Sequence, residues 1–179
     1  MNRTILLFFA FVILYSCKKD SDNSVPDSQF SYNGKSYKTP NGLYMDEKYG
    51  ENHQYTIYFY SQDISYSYID TTFYGQEGQI MGLTLNGSLF LNANLEPTLD
   101  NIETGTSLDV MSGRLLLVYR DRQEEEKIDS GTLKVDIANN NYFFDYKIML
   151  HNGTEISGNF SGALLISVYN NQKIALLKL

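Results

Sequence analysis

Apolar and polar residues alternate most clearly toward the C-terminus, and that alternation predicts strands. Leu133, Val135 and Ile137 alternate with polar neighbours; Tyr142, Phe144, Tyr146, Ile148 and Leu150 do the same; then come Ile156, Phe160, Leu164, Ile166 and Val168. A period of two places each apolar set on one face of a strand. A two-residue loop at Asn139-Asn140 pairs Ile137 with Tyr142 and Val135 with Phe144, and asparagine tolerates the positive φ of a type I′ turn. For the next connection, a two-residue Asn152-Gly153 loop would set Leu150 against Glu155 and mix the faces. A three-residue loop, His151-Asn152-Gly153 with a left-handed glycine, instead pairs Ile148 with Ile156 and Phe144 with Phe160. It also lays Tyr146 over Gly158 and Tyr142 over Gly162, so that a ring covers each strand glycine. Residues 131 to 168 are therefore predicted to form a three-stranded antiparallel meander.

Similar signals recur upstream. Phe30-Ser31-Tyr32, Asn33-Gly34 and Lys35-Ser36-Tyr37 read as a hairpin with Phe30 facing Tyr37, and Leu83 to Leu91 is expected to turn at Asn86-Gly87. Tyr55 to Tyr60 and Arg114 to Tyr119 supply further strands, whereas Glu124-Glu125-Glu126 is expected in a solvated loop or an irregular strand end. No segment carries a helical stripe. With about ten strands in one chain, edges must be closed or stacked, so the expected fold is an all-β antiparallel barrel or sandwich, a lipocalin-like barrel being one form.

The N-terminus follows a different pattern. One basic residue, Arg3, precedes an unbroken apolar stretch from Ile5 to Tyr15, too short for the roughly 20 apolar residues that span a bilayer. It reads as an export signal. The run Leu14-Tyr15-Ser16-Cys17 resembles the lipobox of bacterial lipoproteins. That resemblance implies removal of residues 1–16 and a diacylglyceryl group on Cys17, the first residue of the mature chain and its anchor to the membrane. Residues 17–29 then form an acylated N-terminus and polar linker, and 30–179 a single all-β domain. Lys18-Lys19-Asp20-Ser21-Asp22 resembles the charged export tag of Bacteroidota surface lipoproteins. The implied address is the outer membrane, on its cell-surface or periplasmic face. Ser130 to Ser167, with Tyr-Phe-Phe-Asp-Tyr at 142–146 and Ile-Ser-Gly-Asn-Phe-Ser-Gly at 156–162, resembles the closing strands of small Bacteroidota lipoproteins, and Phe30 to Lys38 their opening hairpin. The resemblance implies fold and address only.

Composition narrows the function classes. Losing residues 1–16 removes one of the 14 basic residues, leaving 13 against 21 acidic and a net charge of −8. An acidic chain without a basic cluster offers no footprint for nucleic acid. With its single cysteine acylated, the mature chain has no thiol for disulfides, catalysis or metal binding. Only two histidines occur, His151 in a predicted turn and His53 in an expected loop after Gly50-Glu51-Asn52, and they form no paired motif for metal or base chemistry. Asp100, Glu103 and Asp109 are expected in one long loop, whose carboxylates could serve a glycosidase or calcium only in a geometry that sequence does not reveal. Nucleophile-elbow, phosphate-loop and dinucleotide motifs are missing. No enzyme activity, metal or cofactor is expected.

Tyrosine carries the remaining signal. Eight of the 15 tyrosines, Tyr44, Tyr49, Tyr55, Tyr58, Tyr60, Tyr66, Tyr68 and Tyr74, fall within 31 residues. On a strand, Tyr58 and Tyr60 share one face and Tyr55, Ile57 and Phe59 the other, while Tyr66 and Tyr68 share a face beyond a turn at Ser61 to Asp63. Rigid amphipathic rings suit a binding surface. The candidate ligand residues are Tyr55, Tyr58, Tyr60, Tyr66 and Tyr68, for a glycan or a protein. The alternative is a lipocalin-like carrier whose inward aromatics line a cavity for a small apolar ligand. Asp70-Thr71-Thr72 resembles a Bacteroidota O-glycosylation acceptor, with Thr71 as the modified residue.

Overall fold

A computed structural model describes residues 27–49, 52–67, 69, 71–86, 105–138, 141–170 and 173–177. Among these, thirteen strands and no helix occur: β1 (Gln29–Tyr32), β2 (Lys35–Lys38), β3 (Asn41–Tyr49), β4 (Asn52–Tyr60), β5 (Ser65–Ser67), β6 (Thr72–Tyr74), β7 (Gly78–Leu85), β8 (Thr106–Val118), β9 (Gln123–Ala138), β10 (Asn141–Leu150), β11 (Glu155–Gly162), β12 (Leu164–Asn170) and β13 (Lys173–Leu177). Eleven form one sheet in the order β13-β12-β3-β4-β7-β8-β9-β10-β11-β1-β2, and β5 and β6 form a separate ribbon. The fold is all-β, as the alternation predicts.

The predicted registers are present. Ile137 pairs with Tyr142 and Val135 with Phe144; Ile148 pairs with Ile156, Phe144 with Phe160, Tyr146 with Gly158 and Tyr142 with Gly162. Gly153 is left-handed at φ 84°. In the first hairpin Asn33 (φ 50°) and Gly34 (φ 72°) both take positive φ, as a type I′ turn demands, and the rings of Phe30 and Tyr37 stack at 5.1 Å.

The meander differs from expectation in its third strand. Pairing with β10 ends at Gly162, and after Ala163 the chain leaves as β12, which runs parallel to β3 from Leu164↔Gly42 to Tyr169↔Glu47. Because only Ala163 separates β11, paired with β10, from β12, paired with β3, the sheet must curl, and it forms a half-barrel with β13 and β2 as its edges. Alternation did not reveal the change of partner, since a strand that bends without slipping keeps the same residues inward: Ile156, Phe160, Leu164 and Ile166 are all buried. Gly42 admits the close approach, for a Cβ there would stand 2.5 Å from Leu164 Cδ2 and 2.8 Å from Phe160 Cζ.

Two further expectations are corrected. Both edges of β7 are taken, by β4 and β8, with Leu83 paired to Ile57 and to Gly113, so Leu83 to Leu85 do not pair with a return strand; residues 87–91 lie outside the described residues. Glu124, Glu125 and Glu126 sit in a regular ladder opposite Leu117, Leu116 and Leu115. The long strands β8 and β9 were only partly legible because bulges break their parity, at Met111 on β8 and Asp129 on β9. Such bulges also tighten the curl of a sheet.

Curling encloses one core. Phe59 lies at its centre, with ring centroids 5.2 Å from Tyr146, 5.1 Å from Phe160 and 5.6 Å from Phe144. Gly158 is needed beneath Tyr146, where a Cβ would come within 2.5 Å of the ring's Cζ and hydroxyl. Gly158→Ala should cost about 1–3 kcal/mol by overpacking, read as a lower urea midpoint at unchanged slope; an unchanged midpoint would mean that the ring can move aside. Outside the curl a second, smaller core of Leu43, Met45, Tyr60, Ile64 and Ile80 is covered by the β5–β6 ribbon.

Candidate functional site

Strand β4 divides the candidate tyrosines. Tyr55 lies with Ile57 and Phe59 against the inner core, stacked 6.5 Å from Tyr44 and 5.9 Å from His53. Its hydroxyl is pushed above the ordinary tyrosine value by burial and, secondarily, by Asp46. Tyr58, Tyr60 and Tyr66 converge outside on one ring, Phe73 of β6, at 5.1, 5.3 and 5.1 Å. They hold the β5–β6 ribbon down. Tyr60 is accordingly buried and Tyr58 and Tyr66 half-buried, while Tyr74, at the end of β6, is the exposed aromatic of this group. Tyr68 and Cys17 lie outside the described residues, and Thr71 is exposed beside the ribbon's second strand with φ 54°.

Beside the ribbon runs a groove of about 820 Å³ on the outer face of β4, β7, β8 and β9. Cross-strand rows build it. Thr56, Thr84 and Ser112 stand opposite one another on three adjacent strands and form a row of hydroxyls. The next row is Tyr58, Gly82, Arg114 and Lys127, in which the Tyr58 ring covers Gly82: a Cβ there would be 2.7 Å from Tyr58 Cε1. Short side chains thus make the floor, Tyr58, Phe73 and Tyr74 one wall, and Arg114, Glu125 and Lys127 the other. Thr56 is only 4% exposed, and its hydroxyl has no hydrogen-bond partner among the described residues. Arg114 pairs with Glu125 at 3.3 Å, and Lys127 with Asp129 at 3.2 Å. The isolated strand glycine, Gly82, is the feature of the sequence that could have pointed here, because such a glycine marks a place where another group approaches closely.

Histidine chemistry is distributed differently from expectation. His53 is on β4 rather than in a loop, because β3 and β4 pair as far as Tyr49 and Asn52. Its Nδ1 meets Asp46 Oδ1 at 2.8 Å; Asp46 is 2% exposed, and its Oδ2 has no partner among the described residues. His151 is exposed in its turn, as predicted, with Nδ1 2.8 Å from Asp129 Oδ2. That contact, with a smaller contribution from Lys127, holds the Asp129 carboxyl below the ordinary carboxylate value. A depressed value means that the contact's support is present above the ordinary carboxylate range and lost as pH falls through the folded-state value. We expect His151→Ala to return Asp129 toward the ordinary value in a carbon-detected NMR titration, with little change in stability since both groups face solvent. Asp109 is not in a loop but exposed on β8, paired with Thr132 of β9, and Asp100 and Glu103 lie outside the described residues.

Compared with family models, curated proteins and solved structures, the chain shows no match to any of them.

Proposed function

We propose that the chain is a non-enzymatic binding module, tethered to the outer membrane through lipid on Cys17, that takes a glycan or protein ligand in the groove beside the β5–β6 ribbon. The observation that carries this reading is the groove itself. Its volume falls within the range of small-ligand sites, and it combines ring faces with a few fixed polar groups. The filled interior around Phe59 supports a surface ligand over an enclosed apolar one. Within this reading the tyrosines divide their work: Tyr58 forms a wall, Tyr60 and Tyr66 seat the ribbon that supplies Phe73 and Tyr74, and Tyr55 stiffens the inner side of β4.

A thermal-shift screen of the chain against glycans, fatty acids and isolated envelope proteins tests the ligand. A native-state ligand raises the midpoint with concentration. The expected hit loses at least tenfold in affinity in Tyr58→Ala, with an unchanged fold by circular dichroism. A fatty acid that binds equally well to Tyr58→Ala would instead favour the carrier. The tether has its own test: Cys17→Ala should abolish incorporation of a labelled fatty acid in cells that express it. Label incorporated by Cys17→Ala as by the wild type would sink the lipid assignment.

A further inference from the structure

We infer that the groove takes a neutral glycan, an inference that rests on the groove being the binding site. Three features define the class. First, the floor presents hydroxyls in a row, Thr56, Thr84 and Ser112, with the amide of Gln54 at its edge. Thr56 is the most telling of these. A hydroxyl buried to this degree ordinarily has a partner, and a ligand hydroxyl laid along the floor would supply one. A saccharide offers donors and acceptors at regular spacing along an extended shape, which matches a row better than a single point.

Second, the wall presents ring faces. Tyr58 packs over Gly82 and, tilted by 55°, against Phe73, and Tyr74 is 51% exposed at the rim. The apolar C–H face of a pyranose packs on such rings while its equatorial hydroxyls point to the floor. Rigid tyrosines do this with little loss of side-chain entropy.

Third, the charges are matched before any ligand arrives. Arg114 faces Glu125, Lys127 faces Asp129, and Asp129 also meets His151. An anionic sugar would have to displace a carboxylate from a basic group and approach a mature chain of net charge −8, with 13 basic against 21 acidic residues. A neutral sugar can use the Arg114–Glu125 pair as it stands, with the guanidinium donating to one sugar oxygen and the carboxylate accepting from a neighbouring hydroxyl. Charge-assisted bonds of this kind are the stronger ones in a polar site.

The test is a printed array carrying neutral, uronic-acid, sulfated and sialylated glycans, followed by calorimetric titration of the strongest neutral glycan. Thr56→Val is the decisive variant because it keeps the side-chain shape and removes only the unpartnered hydroxyl. Binding should weaken at least fivefold in Thr56→Val, and tenfold in Tyr74→Ala, while the thermal midpoint of Thr56→Val does not fall. A hydroxyl with a structural role would lower that midpoint instead, and its loss with affinity unchanged would overturn the inference. Binding confined to acidic glycans would overturn neutrality and leave the groove in place. With no glycan bound, and a protein captured by a photo-crosslinker at position 74, the glycan fails while the binding-module reading survives. Neutral-glycan binding insensitive to Thr56→Val, Tyr58→Ala and Tyr74→Ala would move the sugar elsewhere and overturn both.

Discussion

His53→Ala should destabilise the folded chain by about 3–5 kcal/mol, the cost of leaving a buried charge without its partner. Asp46 sits on the inward face of β3, two residues from Tyr44, where alternation calls for an apolar side chain. One carboxylate oxygen is held by His53 and the other has no partner among the described residues. Removing the imidazole therefore orphans the whole group in surroundings from which water is nearly excluded. Replacing both members together, as Asp46→Leu with His53→Leu, should cost less than the single change, since an apolar pair of similar volume avoids the desolvation penalty. Urea denaturation of the wild type, Asp46→Leu, His53→Leu and the double variant measures the coupling. A loss under about 1 kcal/mol in His53→Ala would mean that Asp46 reaches water or a proton donor by another route.

The same residue shows where legibility ended. Period-two alternation exposes faces and registers wherever a strand runs regularly, so β10, most of β11 and β10's ladders short of the bulge at Asp129 could be read residue by residue. Parity is blind to three things. It does not register a strand that changes neighbours without slipping, which is why the crossing at Gly162 and Ala163 and the parallel β12–β3 pair were missed. It is broken by bulges, which hid the outer halves of β8 and β9. And it pairs only strands close in sequence, whereas the groove is assembled from Thr56, Thr84 and Ser112, brought opposite one another by two successive ladders. The division of Tyr55 from Tyr58 and Tyr60 followed from parity alone. What covers Tyr60 and Tyr66 did not, because the ribbon docks through Phe73, the middle residue of a three-residue strand too short to reveal a period. The Asp46–His53 pair shared this fate: an acid and a histidine seven residues apart become neighbours only when β3 and β4 pair through Lys48↔His53.

Phe59→Ala should cost about 3–5 kcal/mol, the upper range for removing a core ring. The side chain is fully buried and reaches from β4 across the interior to Phe144 and Tyr146 on β10 and Phe160 on β11. Those strands lie far from β4 in the order of the sheet, so Phe59 joins opposite sides of the curl and no neighbour on its own ladder can move in to fill the gap. Phe59→Leu keeps most of the volume and should lose under about 1.5 kcal/mol. Both variants should shift the urea midpoint at constant slope; a shallower slope in Phe59→Ala would mean that the curl has partly opened. Benzene or indole added to Phe59→Ala should restore part of the thermal midpoint, because a dry apolar cavity binds such molecules. If it does, the distinction between a filled half-barrel and a carrier rests here on a few ring-bearing positions rather than on the path of the chain. A Phe59→Ala protein that shows neither lost stability nor rescue would place the centre of the core elsewhere.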